Sequence, residues 1–257
     1  MYYRKSKFTE QDITSLDAML AKGNISFPLT NSWYLPAFYM GAGGTLFGED
    51  GTDGDAGVQF GGDIGEAVTN YLVDLRNNPN FVNDTNGSGL AGLKSGAVDV
   101  AFSGSWDEPV VKENLNGDYG VAALPMFTLN GTPTPMKSFA GSTVVAWNPY
   151  TKHAKAADQL AAFLASTESQ KAHYEMRGTV PSDMTLASEP EIADNPVAKA
   201  QLDTIARTSV VQPSIPEMAN FWGPCENFGK SILSNEVNHN NARELTDKWM
   251  ASYASLM

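Results

Sequence analysis

The run Ala97-Val98-Asp99-Val100-Ala101-Phe102 gives way without a spacer to Ser103-Gly104-Ser105-Trp106-Asp107-Glu108-Pro109. Alternating apolar positions suit a half-buried strand. Ser105 and Glu108 have the spacing of a capping box, which predicts a helix beginning at Trp106. A strand that passes directly into a helix is the building unit of an α/β fold. The same junction recurs earlier. Residues 25–29 read as a strand that runs into Thr30-Asn31-Ser32-Trp33-Tyr34, and residues 35–40 read as the helix after it. Strands and helices alternate with no internal repeat, so the expected class is α/β. In such sheets ligands bind beyond the carboxyl ends of the strands, which is where Trp33 and Trp106 fall.

Further elements follow from capping and periodicity. Residues 16–21 suggest a short helix ended by Gly23. Asp63 with Glu66 suggests a capped helix whose apolar stripe is Ile64, Val68, Tyr71, Leu72 and Leu75. Residues 88–95 form a short helix with Gly96 past its end. Residues 119–124 and 139–147 read as strands, and 126–137 as a Pro/Thr/Gly loop. Thr151 is expected to cap an Ala-rich helix through Leu164, and Thr167 with Gln170 the next one. Asn195-Pro196 opens a helix reaching Arg207. Pro216 opens another, bent by Pro224. The last helix is expected over residues 241–256, burying Leu245, Trp249, Met250 and Tyr253.

The chain of 257 residues carries a net charge of −12. That charge repels phosphate backbones and anionic membranes, so nucleic acid and lipid surfaces are poor partners. The single cysteine, Cys225, excludes an intramolecular disulfide. With no histidine nearby it reads as a small packed residue. The three histidines have no metal-ligand spacing. A calcium loop fits Asp53 and Asp55, but places Val58 where glycine is required and Ile64 where glutamate is required. No nucleophile elbow, Walker loop or dinucleotide fingerprint occurs. No metal, cofactor or catalytic group is expected.

Of five tryptophans, Trp147 lies in a β-rich run and Trp249 on an amphipathic stripe, and both are expected in the core. Trp33, Trp106 and Trp222 stand at element boundaries among small and polar residues. One such indole would most simply plug a core gap; three suggest a shared stacking platform. A pyranose offers an apolar C–H face and a rim of hydroxyls. Flat aromatics cover the face and polar side chains bind the rim. Asn31, Asp107, Glu108 and Asn220 lie beside the three tryptophans and complete the candidate site. Asp107 and Glu108 are adjacent, so on a helix they diverge rather than face each other across a bond as in glycosidases.

Several stretches occur in the order seen in a known family: residues 71–75, 96–106, 118–125 and 213–222. On them the chain resembles the maltose/maltodextrin-binding proteins, within the family 1 extracellular solute-binding proteins of ABC sugar importers. The resemblance covers nearly all of the chain. The Trp222 segment is its most specific part, and Gly223-Pro224-Cys225 departs from the pattern. The resemblance implies a periplasmic-binding-protein type II-like fold, two α/β lobes closing on a sugar without catalysis. It implies that Trp33, Trp106 and Trp222 are platforms of the C-terminal lobe, with tryptophan at 33 where relatives often carry tyrosine.

On the same resemblance, residues 1–124 and 173–257 are expected to form the C-terminal lobe, and 125–172 to be a crossover belonging to the N-terminal lobe. Relatives run well over a hundred residues longer at the N-terminus, so Met1 is expected to be a shortened start, with the signal region and most of the N-terminal lobe absent. The chain would then carry half a site for a maltodextrin-type oligosaccharide. The intact protein would work with ABC permease subunits on the extracellular face as a lipoprotein, or in the periplasm. The orphaned crossover would expose apolar surface or bury it in a homodimer. A glycan-processing enzyme with the tryptophans as subsites, and a stand-alone surface carbohydrate-binding protein, are the alternatives.

Overall fold

Tyr2 and Tyr3 are both buried and begin the first strand, β1 (Tyr2–Arg4), an element the sequence reading did not anticipate. The chain continues through α1 (Leu16–Leu20), β2 (Ile25–Phe27) and α2 (Pro36–Gly41), then a small hairpin of β3 (Thr45–Leu46) and β4 (Val58–Gln59). Next come α3 (Gly62–Asn77), β5 (Phe81–Asn83), α4 (Ser88–Ser95), β6 (Val100–Ala101), α5 (Glu108–Leu115) and β7 (Tyr119–Val121). A second hairpin, β8 (Met126–Leu129) and β9 (Thr132–Pro135), leads to β10 (Ser138–Ala140). The remainder is helical apart from β11 (Ser209–Val211): α6 (Ala154–Leu164), α7 (Thr167–Arg177), α8 (Met184–Ala187), α9 (Pro190–Ala193), α10 (Pro196–Thr208), α11 (Trp222–Leu233) and α12 (Ala242–Ala254). This computed structural model describes residues 1–254; the end expected for the last helix, at Leu256, lies outside the described residues.

The main sheet has five strands in the order β5-β2-β6-β1-β7. β2 pairs in parallel with β5 and with β6, and β1 runs antiparallel to β6 and β7. The parallel trio carries its carboxyl ends to one edge. Three loops therefore meet there: residues 28–35 after β2, 84–87 after β5 and 102–107 after β6. The helix of residues 62–77 packs with Val68, Leu72, Val73 and Leu75 inward, while Ile64 is 52% exposed. Against it lies α12, joined through a buried chain in which the Tyr39 hydroxyl meets Thr69 at 2.8 Å and Thr69 meets Thr246 at 2.6 Å. Of the residues expected inward on α12, Trp249 and Tyr253 are buried, and Leu245 and Met250 pack on the core half-buried.

Several local expectations are corrected. The stretch 126–137 is a hairpin, with Asn130 and Gly131 both at positive φ (50° and 79°) between the paired residues Leu129 and Thr132. Two successive positive φ values are what a two-residue type I′ turn requires, and Asn-Gly is its preferred sequence. The strand expected over 139–147 stops at Ala140 because its partner β11 is only three residues long. Beyond it Val144 and Trp147 find no layer to pack on, and Trp147 is 40% exposed rather than core. The capping residue of α7 is Ser166, not Thr167, and α6 has no side-chain cap. Ser105 opens a short 3-10 turn without capping α5. Pro224 does not interrupt α11. It sits in the first turn, where its missing N–H would have had no intrahelical partner.

Candidate functional site

Each loop at the carboxyl edge is held by its own backbone chemistry. After β2, the Asn31 side chain accepts the Trp33 N–H at 2.8 Å, an Asx turn that aims the indole outward before α2 begins. After β6, the Tyr2 hydroxyl donates to the Gly104 carbonyl at 2.8 Å. A Cβ on Gly104 would lie 2.2 Å from ring atoms of Trp106, so the indole packs directly against the glycine. Far along the chain, α12 fixes the third tryptophan. Phe228 stacks on Trp249 at 4.2 Å, Trp249 donates to the Tyr253 hydroxyl at 2.8 Å, and Tyr253 donates to the Phe221 carbonyl at 3.2 Å, one residue before Trp222.

These supports bring Trp33 and Trp222 together. Their rings stack at 6.2 Å with an interplanar angle of 17°. Trp33 is 37% exposed and Trp222 half-buried, so the pair forms a partly solvent-facing aromatic surface. Trp106 is 68% exposed and, among the described residues, makes no ring contact with the pair.

A cavity of about 570 Å³, within the range of small-molecule sites, is lined by sequence neighbours of the pair, Ser32 and Tyr34 on either side of Trp33 and Glu226 one turn after Trp222, while none of the three tryptophans lines it. Asn31, Tyr34, Asp84, Asn86, Ser103 and Asp107 line it from the three strand-end loops. Glu226 and Lys230, one and two turns after Trp222, close another side and pair with each other at 2.5 Å. The Asp84 carboxylate is buried and accepts from the Gly89 N–H at 3.1 Å. Asp107 accepts a short bond from the Ser103 hydroxyl. Burial, reinforced by the charges of Asp107 and Asp84, raises the Tyr34 phenol above its ordinary value. It stays protonated and can donate.

The predicted site residues thus divide. Asn31 and Asp107 line the cavity, and Trp33 and Trp222 stack on each other outside its lining. Glu108 turns away and accepts from the Tyr119 hydroxyl at 3.1 Å. Asn220 is exposed on the 3-10 turn Pro216–Asn220, just ahead of Trp222. Tyr34, Asp84 and Glu226 were not singled out from sequence. Tyr34 could have been, since it follows Trp33 directly; the others converge only through the fold. Asp107 and Glu108 engage different partners and do not form an acid–base pair. Cys225 lies beneath the surface, and burial pushes its thiol well above the usual value, which suits packing rather than nucleophilic attack. Asp53 accepts from the backbone N–H groups of Asp55 and Ala56, and among the described residues no cluster could hold a metal ion.

Residues 1–200 match the family profile described as bacterial extracellular solute-binding protein, and the chain belongs to that family. Among curated relatives, a galactooligosaccharide-binding protein of Bacillus subtilis (strain 168) is 27% identical over 82% of this chain and 50% of its own length. A maltooligosaccharide ABC transporter solute-binding lipoprotein of Streptococcus pneumoniae (strain ATCC BAA-255 / R6) is 27% identical over 77% of this chain and 47% of its own. The chain therefore spans about half the length of the curated relatives it matches. A solved structure with acarbose is 43% identical, with a TM-score of 0.95, covering 100% of this chain and 68% of that one. The maltodextrin binding protein MalE1 from L. casei BL23 is 26% identical with a TM-score of 0.85, covering 98% and 68%. The fold is that of the maltose-binding periplasmic proteins, type II-like, over about two-thirds of those chains.

Proposed function

We propose that the chain binds a maltodextrin-type oligosaccharide for uptake by an ABC importer, and does so without catalysis. The observation that carries this reading is the stacked Trp33–Trp222 pair, whose chain neighbours Asn31, Tyr34 and Glu226 line a cavity rich in hydroxyl, amide and carboxylate groups. The pair offers an apolar face for a pyranose ring, and Asn31, Asp107 and the Tyr34 hydroxyl offer partners for its rim. Trp106, exposed on the loop after β6, offers a separate stacking face for further rings, and Asn220 stands at the margin just ahead of Trp222, whereas Glu108 is engaged by the Tyr119 hydroxyl. The names of relatives and structural neighbours, which specify maltooligosaccharide, galactooligosaccharide and acarbose, support the ligand class.

In this reading residues 1–124 and 173–257 form one lobe, whose core also takes in Phe127, Leu129, Met136 and Phe139, and the rest of the crossover 125–172 belongs to a second lobe that would cover the sugar's other face. The chain then carries half a site. The intact protein would be a lipoprotein on the extracellular face or a periplasmic protein, delivering sugar to permease subunits. Without the second lobe a bound sugar keeps one side in water, so affinity is expected near the millimolar range, about −4 kcal/mol. Calorimetry with maltotriose, maltotetraose and galactooligosaccharides tests it. Weak binding to the glucans that disappears in Trp222→Ala supports the reading. An unchanged isotherm in that variant, or release of reducing ends from maltodextrin, contradicts it.

A further inference from the structure

Phe139 stands on β10, outside the loops that build the candidate site, yet its ring reaches them. It is 5% exposed. It contacts Trp33 at 5.3 Å and 56°, Trp222 at 5.8 Å and 73°, and Phe221 at 6.4 Å and 85°. Among the described residues it is the one ring that touches both stacked indoles. Its own position is set by backbone pairing rather than by the tryptophans. β10 pairs in parallel with β11, with Phe139 opposite Val210. On either side, the Lys137 N–H donates to the Ala37 carbonyl at 3.0 Å and the Gln212 N–H donates to the Ala140 carbonyl at 2.9 Å.

Two partly exposed indoles on separate loops have several rotamers open to them. A buried ring fixed from behind, meeting one tilted and the other edge to face, favours the single arrangement in which they stack. Edge-to-face contacts between aromatic rings carry enough energy to decide between rotamers. We infer that Phe139 is a positioning residue, which holds Trp33 and Trp222 in their stacked geometry and so makes sugar stacking depend on the docking of β10 against β11. This inference rests on the sugar-binding reading for its consequence, but not for its geometry.

The test uses the full chain with Phe139→Leu, Phe139→Met and Phe139→Tyr, each alone and with Trp222→Ala. Maltotetraose is the ligand, and near-ultraviolet circular dichroism and acrylamide quenching of the ligand-free protein read the indoles. Phe139→Leu is expected to keep the far-ultraviolet spectrum, alter the indole bands, increase quenching and weaken binding about tenfold, the loss of roughly one good aromatic contact. Phe139→Tyr, which retains the ring, restores both readouts. In the Trp222→Ala background, where binding is already lost, Phe139→Leu is read by the indole bands alone and alters them less than in the unaltered chain, because the stacked pair it acts on is gone. Should the leucine variant unfold, the methionine variant supplies the same readouts. Unchanged indole bands and quenching in a folded ring-less variant, or an equally large change of the indole bands in the Trp222→Ala background, overturn the inference. If the unaltered chain binds no sugar, the sugar-binding reading fails while the indole spectra still decide whether Phe139 positions the pair.

Discussion

Gly104 shows how much one residue without a side chain can control at the strand-end loops. The Trp106 indole packs directly against it, and an added Cβ would sit 2.2 Å from ring atoms. Gly104→Ala is expected to lift the indole, shifting tryptophan emission to the red and weakening oligosaccharide binding, with the fold intact. An unshifted emission spectrum would show that the ring does not need the glycine. Tyr34 carries the opposite lesson, since its value lies in a polar atom. Its phenol faces Asp84 and Asp107 with its proton held by burial. Tyr34→Phe should weaken maltotetraose binding by about 1 kcal/mol, the usual net worth of a hydrogen bond, with little change in melting temperature. Sequence reading found Asn31, Trp33 and Asp107 because they lie just beyond strands, and Trp222 because it stands at an element boundary between Pro216 and Pro224. It missed Asp84 and Glu226, which enter the cavity from an independent loop and from a helix far along the chain.

At the scale of elements, α3 and α12 are tied by the buried Tyr39–Thr69–Thr246 hydroxyl chain. Thr69→Val would strand two buried hydroxyls, each costing about 1–3 kcal/mol. Chemical denaturation should show a loss near 2 kcal/mol or more. The same packing buries phenols. Desolvation is the largest cause raising Tyr39, Tyr71 and Tyr253 above the ordinary 10.0. A phenol that holds its proton more tightly in the fold than in the open chain stabilises the fold fully below pH 10.0. That contribution is lost as pH climbs from there towards the folded value. Melting temperature is therefore expected to be insensitive to these groups up to about pH 9 and to fall steeply above 10, a titration that thermal scans at alkaline pH can follow. Helices with strong stripes and proline or glycine boundaries, such as α3, α4 and α10, were legible in the sequence. Strand extent was not. Residues 139–147 have the composition of a strand throughout, yet pairing ends where β11 ends. The β8–β9 hairpin went unread, although Asn130-Gly131 is a strong local signal.

Across the whole molecule, apolar surface is unevenly covered. Within residues 125–172, Phe127, Leu129, Met136 and Phe139 are buried in the main core. Further on, α6 has no buried residue, and Leu160 and Phe163 are more than half exposed. We propose that this face packs on a second copy of the chain. Replacing Leu160 and Phe163 with lysine should leave monomer stability within about 0.5 kcal/mol, as for exposed positions generally. It should also abolish any dimer seen by light scattering. A monomer at all concentrations before substitution would remove the second copy from consideration.

The sequence by itself determined the α/β class, the strand-to-helix junctions that carry Trp33 and Trp106, and the family likeness. All of these depend on short-range spacing that a linear reading preserves. Only the tertiary structure decided that Trp33 and Trp222 stack while Trp106 stands apart, and that Phe139 lies behind the pair. These contacts join loops and strands distant in the chain, and their geometry is set by sheet order and helix packing rather than by any local pattern.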